Sequence, residues 1–374
     1  MSSPRRALAT IDTGALERNC RHLRSLLTGG AELCAVVKAD AYGHGHAECA
    51  RAALAGGATW LAVATAAEAA ELRAAGLEPR LLVMGALTHS DLGIAVDARA
   101  DLVAWDPAFV PAMAAEAARI GHAVRVHVKL DTGMGRLGAP AEATAHAVVD
   151  AIDAASGLEL AGVMTHFATA DEPGDEHFPA QLERFTAFAG GLKAARPGLI
   201  VHASNSAGVY RDPAAHFDMV RCGVAVYGLD PFGEDPAARG LEPAMRLSSY
   251  VAMVKRFDAG QSAGYGRRWW APSATWIAVL PIGYADGVRR GLTNNAEILI
   301  RGLPRPLVGT VSMDNITVDL GSETDVEIGD EAVIFGRQGE AHLLCEEVAR
   351  RLDTINYEVT CGVSSRVPRE YPAS

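Results

Sequence analysis

Between residues 32 and 227 the chain alternates short apolar runs with alanine-rich stretches whose apolar positions recur three and four apart. Eight of the runs, residues 33–37, 60–64, 81–84, 102–104, 124–130, 158–164, 199–202 and 219–226, have the length and composition of strands buried on both faces. The segments between them, such as 65–76 and 107–121, close on glycine as surface helices do. Eight strand–helix repeats over about 200 residues predict an α/β fold of the closed, parallel (β/α)8 type. An open doubly wound sheet gives the same alternation, but no early strand here is followed by a Gly-x-Gly-x-x-Gly loop.

The pattern changes after Gly240. Apolar segments at 250–254, 276–280, 298–300, 308–311, 316–320 and 332–335 follow one another without long helices, and turn clusters such as 301–304 separate them. This predicts a mostly antiparallel second domain with one helix at 342–352. Pro231, Gly233, Pro236 and Gly240 mark a linker, so the expected division is a barrel domain at 1–240 and a β-rich domain at 241–374. Residues 1–12 are expected to pair with the second domain.

Composition narrows the function. A length of 374 residues with 49% hydrophobic content is ample for two buried cores, while a net charge of -11 disfavours a surface for nucleic acid or anionic lipid. A small-molecule substrate fits better. No apolar run approaches the roughly 18 residues of a membrane span, and the stretch after Arg5 and Arg6 is too short and polar for a signal segment. The six cysteines are scattered, without the spacing of a zinc site or a redox dithiol. They are expected to be reduced thiols in a cytoplasmic protein that uses no metal.

Barrel enzymes carry their chemistry at the C-terminal ends of the strands. Lys38 follows the first predicted strand, Lys129 lies at the end of the fifth, His166 follows the sixth, Ser204 the seventh, and Arg221 closes the eighth just before Gly223 and Val224. Of the 34 lysines and arginines only four are lysine, so a lysine at a strand end is an unusual choice here. Partial burial makes such an amine a better nucleophile, able to form a Schiff base with a carbonyl cofactor; a rim ion pair is the structural alternative. The loops after strands seven and eight often bind phosphate, which Ser204, Gly223 and Val224 could do, although loop serines and glycines also serve plain turn chemistry. A nucleophilic lysine and a phosphate cradle on one barrel mouth suggest pyridoxal 5'-phosphate (PLP), with Tyr42 and His166 against its ring or phosphate.

Several segments then coincide with a known pattern. Lys38-Ala39-Asp40-Ala41-Tyr42-Gly43-His44-Gly45, Asp131-Thr132-Gly133-Met134-Gly135-Arg136, Thr165-His166-Phe167-Ala168, Asn205-Ser206-Ala207-Gly208, Arg221-Cys222-Gly223, Gly264-Tyr265-Gly266 and Ser312-Met313-Asp314 occur in that order. With them the chain resembles bacterial alanine racemases over essentially its whole length. The resemblance implies that Lys38 holds PLP and acts as one acid/base group, with Tyr265 as the other. Inversion requires a proton to leave from one face and return to the opposite one. A phenol, which ordinarily titrates near about 10, needs cationic help to act as a base; the resemblance assigns that help to Arg136 and His166. It also implies that Arg221 faces the pyridine nitrogen, and that Lys129 carries a carbamate positioning Arg136. Arg136 and Met313 would hold the substrate carboxylate, and Tyr357 would contact the phosphate. Tyr265 and Met313 would reach into the partner's site of a homodimer.

The activity so implied is interconversion of L- and D-alanine, supplying D-alanine for peptidoglycan. A serine or broad-specificity racemase shares these motifs. A non-catalytic PLP carrier is disfavoured by the second domain with Tyr265, and a decarboxylase of the same fold by arginine rather than a carboxylate at Arg221.

Overall fold

The structure, a computed structural model, describes residues 5–372. It comprises two compact units. One consists of Leu16–Ala41 and His46–Val226; the other contains, of the described residues, 5–15, Tyr42–Gly45 and 227–372.

The first unit is a closed barrel. Its strands are Glu32–Val36, Trp60–Val63, Arg80–Val83, Asp101–Ala104, Val124–Lys129, Leu158–Met164, Ile200–His202 and Met219–Cys222, each parallel to the next and the last paired with the first. Each coincides with a predicted run to within a few residues. Apolar side chains on both faces explain why short segments are stable as strands: Leu61, Leu82, Val126, Val128 and Val163 are all buried, and each such side chain contributes ~1.5–3 kcal/mol. Helix boundaries follow the capping chemistry. Thr65 accepts from the amide of Glu68 while Glu68 reciprocates, which starts the helix Ala66–Ala74, and Gly121 ends the helix Val110–Ile120 at φ 74°.

The eighth run is shorter than its apolar stretch predicted. The strand stops at Cys222 and Val224–Tyr227 forms a 3-10 turn, because the Gly223 amide donates to Ser206 Oγ (3.0 Å) rather than to a neighbouring strand. The core also contains polar residues, with His127 and His202 fully buried. Gly162 makes room for His127: a Cβ there would lie 2.3 Å from His127 Nδ1 and 2.7 Å from the Ile200 carbonyl oxygen. Gly162→Ala is therefore expected to lower stability by ~2–3 kcal/mol through overpacking, read as a lower urea midpoint at unchanged slope. An unchanged midpoint would show that the barrel relaxes around the methyl group.

In the second unit Leu8–Ile11 runs antiparallel to Met245–Tyr250, with Ala9 opposite Leu247. Several expected elements are redrawn. The stretch 250–254 is a break rather than a strand: one strand ends at Tyr250 and the next, Met253–Phe257, pairs with Thr275–Leu280. Between them the Val251 amide bonds to the Asp330 carbonyl and the Ala252 amide to that of Val279, so the chain changes pairing partner there. The expected strand at 308–311 lies earlier, at Leu303–Val308, because Gly309 at φ 77° turns the backbone out of the sheet. The turn before it is made by Arg301 and Gly302 alone, both at positive φ. The helix expected at 342–352 begins at Cys345, since His342 sits in the strand Ala341–Leu343 opposite Arg337. A second short helix, Asn356–Cys361, was not expected. Among the described residues no helix is long and apolar enough to cross a membrane.

Candidate active site

Lys38 stands half-buried at the end of the first barrel strand. The Val37 amide is tied to the Ala62 carbonyl on the neighbouring strand (2.8 Å). After the lysine the backbone turns left-handed: Ala39, Asp40, Ala41 and Tyr42 all have φ between 51° and 54°. Non-glycine residues pay about 1–2 kcal/mol each for this conformation, so the surroundings must enforce it. Glu68 does part of this, accepting from the Ala39 amide with Oε1 (2.7 Å) and from the Ala64 and Thr65 amides with Oε2. Asp40 Oδ1 accepts from the His46 amide (2.9 Å) and closes the turn from the other end. Glu68 carries no signal in sequence beyond its helix-capping position.

Four more predicted residues meet Lys38 at the same rim. Lys129 is buried, and its pKa is pushed down to about 8 by burial first and then by the charges of Arg221, Arg136 and Lys38, against the opposing influence of Asp131. His166 is held well below the ordinary imidazole value by burial and by Arg221, Lys129, Arg136 and Lys38. Asp131 is turned away onto its own loop, where it accepts from the amides of Gly133, Met134, Gly135 and Arg136. Those bonds outweigh burial, which alone would raise it, and keep the carboxyl below its usual value. Gln181 ties the two adjoining loops together, donating to Thr132 Oγ1 and the His166 carbonyl while accepting from the Ala168 amide.

Arg221 is almost completely buried, at 3% exposure. Its Nη1 lies 2.7 Å from His202 Nδ1, and its Nη2 donates to the Thr165 and Ala203 carbonyls (2.8 and 2.9 Å) and lies 3.3 Å from His166 Nδ1. None of these partners is a carboxylate, and burial lowers the guanidinium pKa to about 10. The rim is thus a cluster of cations and neutral imidazoles suited to an anionic ligand.

The loop expected to cradle a phosphate carries two serines with different partners. Ser204 is fully buried and its hydroxyl donates to the Ala215 carbonyl (2.9 Å), so that group is already committed within the protein. The hydroxyl beside the predicted glycine loop belongs to Ser206, which accepts from the amides of Gly223 (3.0 Å) and Ala225 (3.3 Å). Strand-end position favoured Ser204; only the path of the loop separates the two serines. Val224 lies buried between these amides.

The remaining predicted residues belong to the second unit. Tyr42 and Tyr357 face one another with ring centroids 6.0 Å apart, and Tyr42 also packs on Tyr227 at 5.0 Å. Tyr265 and Met313 are exposed, at 75% and 51%. Tyr265 borders an open groove of about 410 Å³ lined also by Gly264, Thr310, Ser312 and Asn315, and its carbonyl accepts from Thr310 Oγ1 (2.6 Å). Gly264, at φ 70°, is required there because a Cβ would lie 2.9 Å from the Thr310 amide nitrogen.

Residues 11–231 match the family model for the alanine racemase N-terminal domain, and residues 244–371 match that for the C-terminal domain. The alanine racemase of Symbiobacterium thermophilum is 42% identical over 366 residues, covering 97% of this chain and 96% of that protein. That of Frankia casuarinae is 43% identical over 372 residues, covering 98% and 96%. Among solved structures, the alanine racemase from D-cycloserine-producing Streptomyces lavendulae superposes with a TM-score of 0.94 at 38% identity, covering 100% of this chain and 98% of that one. Agreement in both domains, in sequence and in fold, leads to one assignment: this chain belongs to the alanine racemase family.

Proposed function

We propose that the chain interconverts L- and D-alanine with PLP as cofactor, and that it supplies D-alanine for peptidoglycan. The observation that carries this reading is the pairing, on one barrel rim, of half-buried Lys38 with a buried guanidinium, Arg221, whose hydrogen bonds go only to carbonyls and imidazoles. The donor set fits PLP. The Lys38 amine suits its aldehyde and Arg221 its ring nitrogen; the Gly223 and Ala225 amides with Ser206 suit its phosphate, joined by Val224, Tyr42 and Tyr357 as the family pattern implies. When bound, PLP supplies an electron sink that makes the α-hydrogen of an amino acid acidic.

Each protein group then has a definite task. Lys38 Nζ takes or returns the α-proton on one face, and Tyr265 Oη does so on the other, as two-base inversion requires. Arg221 can only donate, so toward the cofactor it would face an unprotonated ring nitrogen and would moderate the electron sink, favouring return of the proton to carbon. Because Arg221 also donates toward His166 Nδ1, the neutral imidazole carries its proton on Nε2, where it is available to a phenolic oxygen. Arg136 and the Met313 backbone would hold the substrate carboxylate. Tyr265 and Met313 are read as coming from the partner of a homodimer. A cytoplasmic setting accords with the six free cysteines.

Lys129 is read as carrying a carbamate. Burial pushes its pKa down to about 8, so neutral amine is accessible near neutral pH and able to add to carbon dioxide with release of a proton. The product is an anion amid Arg136, Arg221 and Lys38, which relieves their mutual repulsion. Protein equilibrated with 13C-bicarbonate should show one carbamate resonance that is missing in Lys129→Arg; spectra without it would leave Lys129 a plain amine.

The test of the main reading is chiral chromatography of L-alanine incubated with the protein and PLP. D-alanine rising to an equal mixture supports it. Alanine that remains L while PLP binds would move the reading to a carrier or to another substrate.

A further inference from the structure

A polar chain crosses the barrel core, and the reaction as proposed leaves most of it unused. From His202, the acceptor of Arg221 Nη1, Nε2 lies 2.8 Å from His127 Nδ1, and His127 Nε2 lies 3.1 Å from Asp101 Oδ2. All four side chains are buried. Asp101 opens its strand at the N-terminal end of the barrel, where Arg80 Nη2 and Arg125 Nε reach the same Oδ2 at 3.2 and 3.3 Å. His202 ends its strand, and Arg221 lies one residue from the end of its own. The chain therefore runs from one end of the barrel to the other.

Its direction follows from one chemical fact. A guanidinium has no acceptor, so His202 Nδ1 must accept and its proton must sit on Nε2. That proton is donated to His127 Nδ1, which leaves the His127 proton on Nε2, pointing at the Asp101 carboxylate. Both imidazoles are then neutral, with their electron-rich edges toward Arg221 and their N–H edges toward Asp101. Aligned in this way, their dipoles stabilise the buried cation at one end and the buried anion at the other. Burial holds both imidazoles below their ordinary value, His202 well below it with Arg221 adding to the effect, and His127 despite the opposing pull of Asp101. The backbone is shaped around the pair: Gly162 lacks the Cβ that would strike His127, the register slips between Val126 and His127, and Trp60 meets the His127 ring edge-on at 6.0 Å.

We propose that Asp101 is a positioning residue for Arg221, acting through His127 and His202 to hold the guanidinium as a donor toward the cofactor ring. This rests on the PLP reading above. Asp101→Asn keeps an acceptor for His127 but removes the charge, and His127→Phe cuts the chain. With alanine as substrate, each is expected to lower kcat about tenfold with KM changed by less than about twofold, and the double variant should be no slower than the slower single one. Independently, 15N spectra of histidine-labelled full-length wild-type protein at pH 7 should give His127 and His202 as neutral rings protonated on Nε2. A proton on Nδ1 of either ring, wild-type kcat in folded Asp101→Asn, or losses that multiply to about a hundredfold in the double variant would overturn the proposal. If the wild-type protein does not racemise alanine, the reading of the site fails and the histidine spectra alone decide the relay.

Discussion

Lys38→Ala protein is expected to retain its fold and lose racemisation by roughly a thousandfold or more, because on the proposed reading one residue serves both as the anchor for the cofactor and as a proton carrier. Lys38 is half-buried at a strand end, and the bonds that shape its surroundings are made by backbone groups and by Glu68 rather than by its own side chain alone. Removal of the amine should therefore leave the barrel intact. Circular dichroism and the urea midpoint would test the fold, and D-alanine by chiral chromatography the activity. A folded Lys38→Ala protein that still racemises within tenfold of wild type would show that the nucleophilic amine lies elsewhere; Lys129, the other lysine at this rim, would be the next candidate.

If Tyr265 is the second base, as proposed, Tyr265→Ala should be almost as damaging, since inversion through two faces fails when either base is missing. The two losses differ in where they fall if each site is built from Lys38 of one protomer and Tyr265 of its partner. In dimers of one Lys38→Ala and one Tyr265→Ala chain, one site receives both defects and the other neither. Random exchange makes half the dimers mixed, so activity should recover from near zero to about one quarter of wild type per site. Mixing without recovery, where mass spectrometry proves exchange, would mean that each chain builds its own site. The exposure of Tyr265 and Met313 in the single chain makes the experiment attractive, because neither side chain is locked in a core by its own fold.

How legible this was in the sequence depended on the range of the interactions involved. Strands that must be apolar on both faces declare themselves locally, so all eight barrel strands were readable from residues such as 60–64 and 124–130. In the second unit, strand ends depend on pairing partners far along the chain. The 250–254 run was misread because Val251 and Ala252 bond to Asp330 and Val279, residues that local hydrophobicity cannot reveal. His342 was assigned to a helix for a similar reason, since its strand exists through pairing with Arg337.

The candidate site divides along the same line. Lys38, Lys129, His166 and Arg221 could be named from their strand-end positions and from the scarcity of lysine, because parallel-barrel geometry sends the end of every strand to one rim. The sequence by itself thus determined the barrel, the ring of reactive side chains and the family resemblance. It could not rank Ser204 against Ser206, two residues apart in one loop, because the choice depends on whether a hydroxyl meets the Ala215 carbonyl or the Gly223 amide. Nor could it reveal the task of Glu68, or the line from Asp101 through His127 and His202 to Arg221, whose members are spread over 120 positions and meet only when four strands close around a common core. Hydrogen bonds act over about 3 Å in space and are indifferent to separation along the chain, so the tertiary structure alone decided which of these polar groups work together.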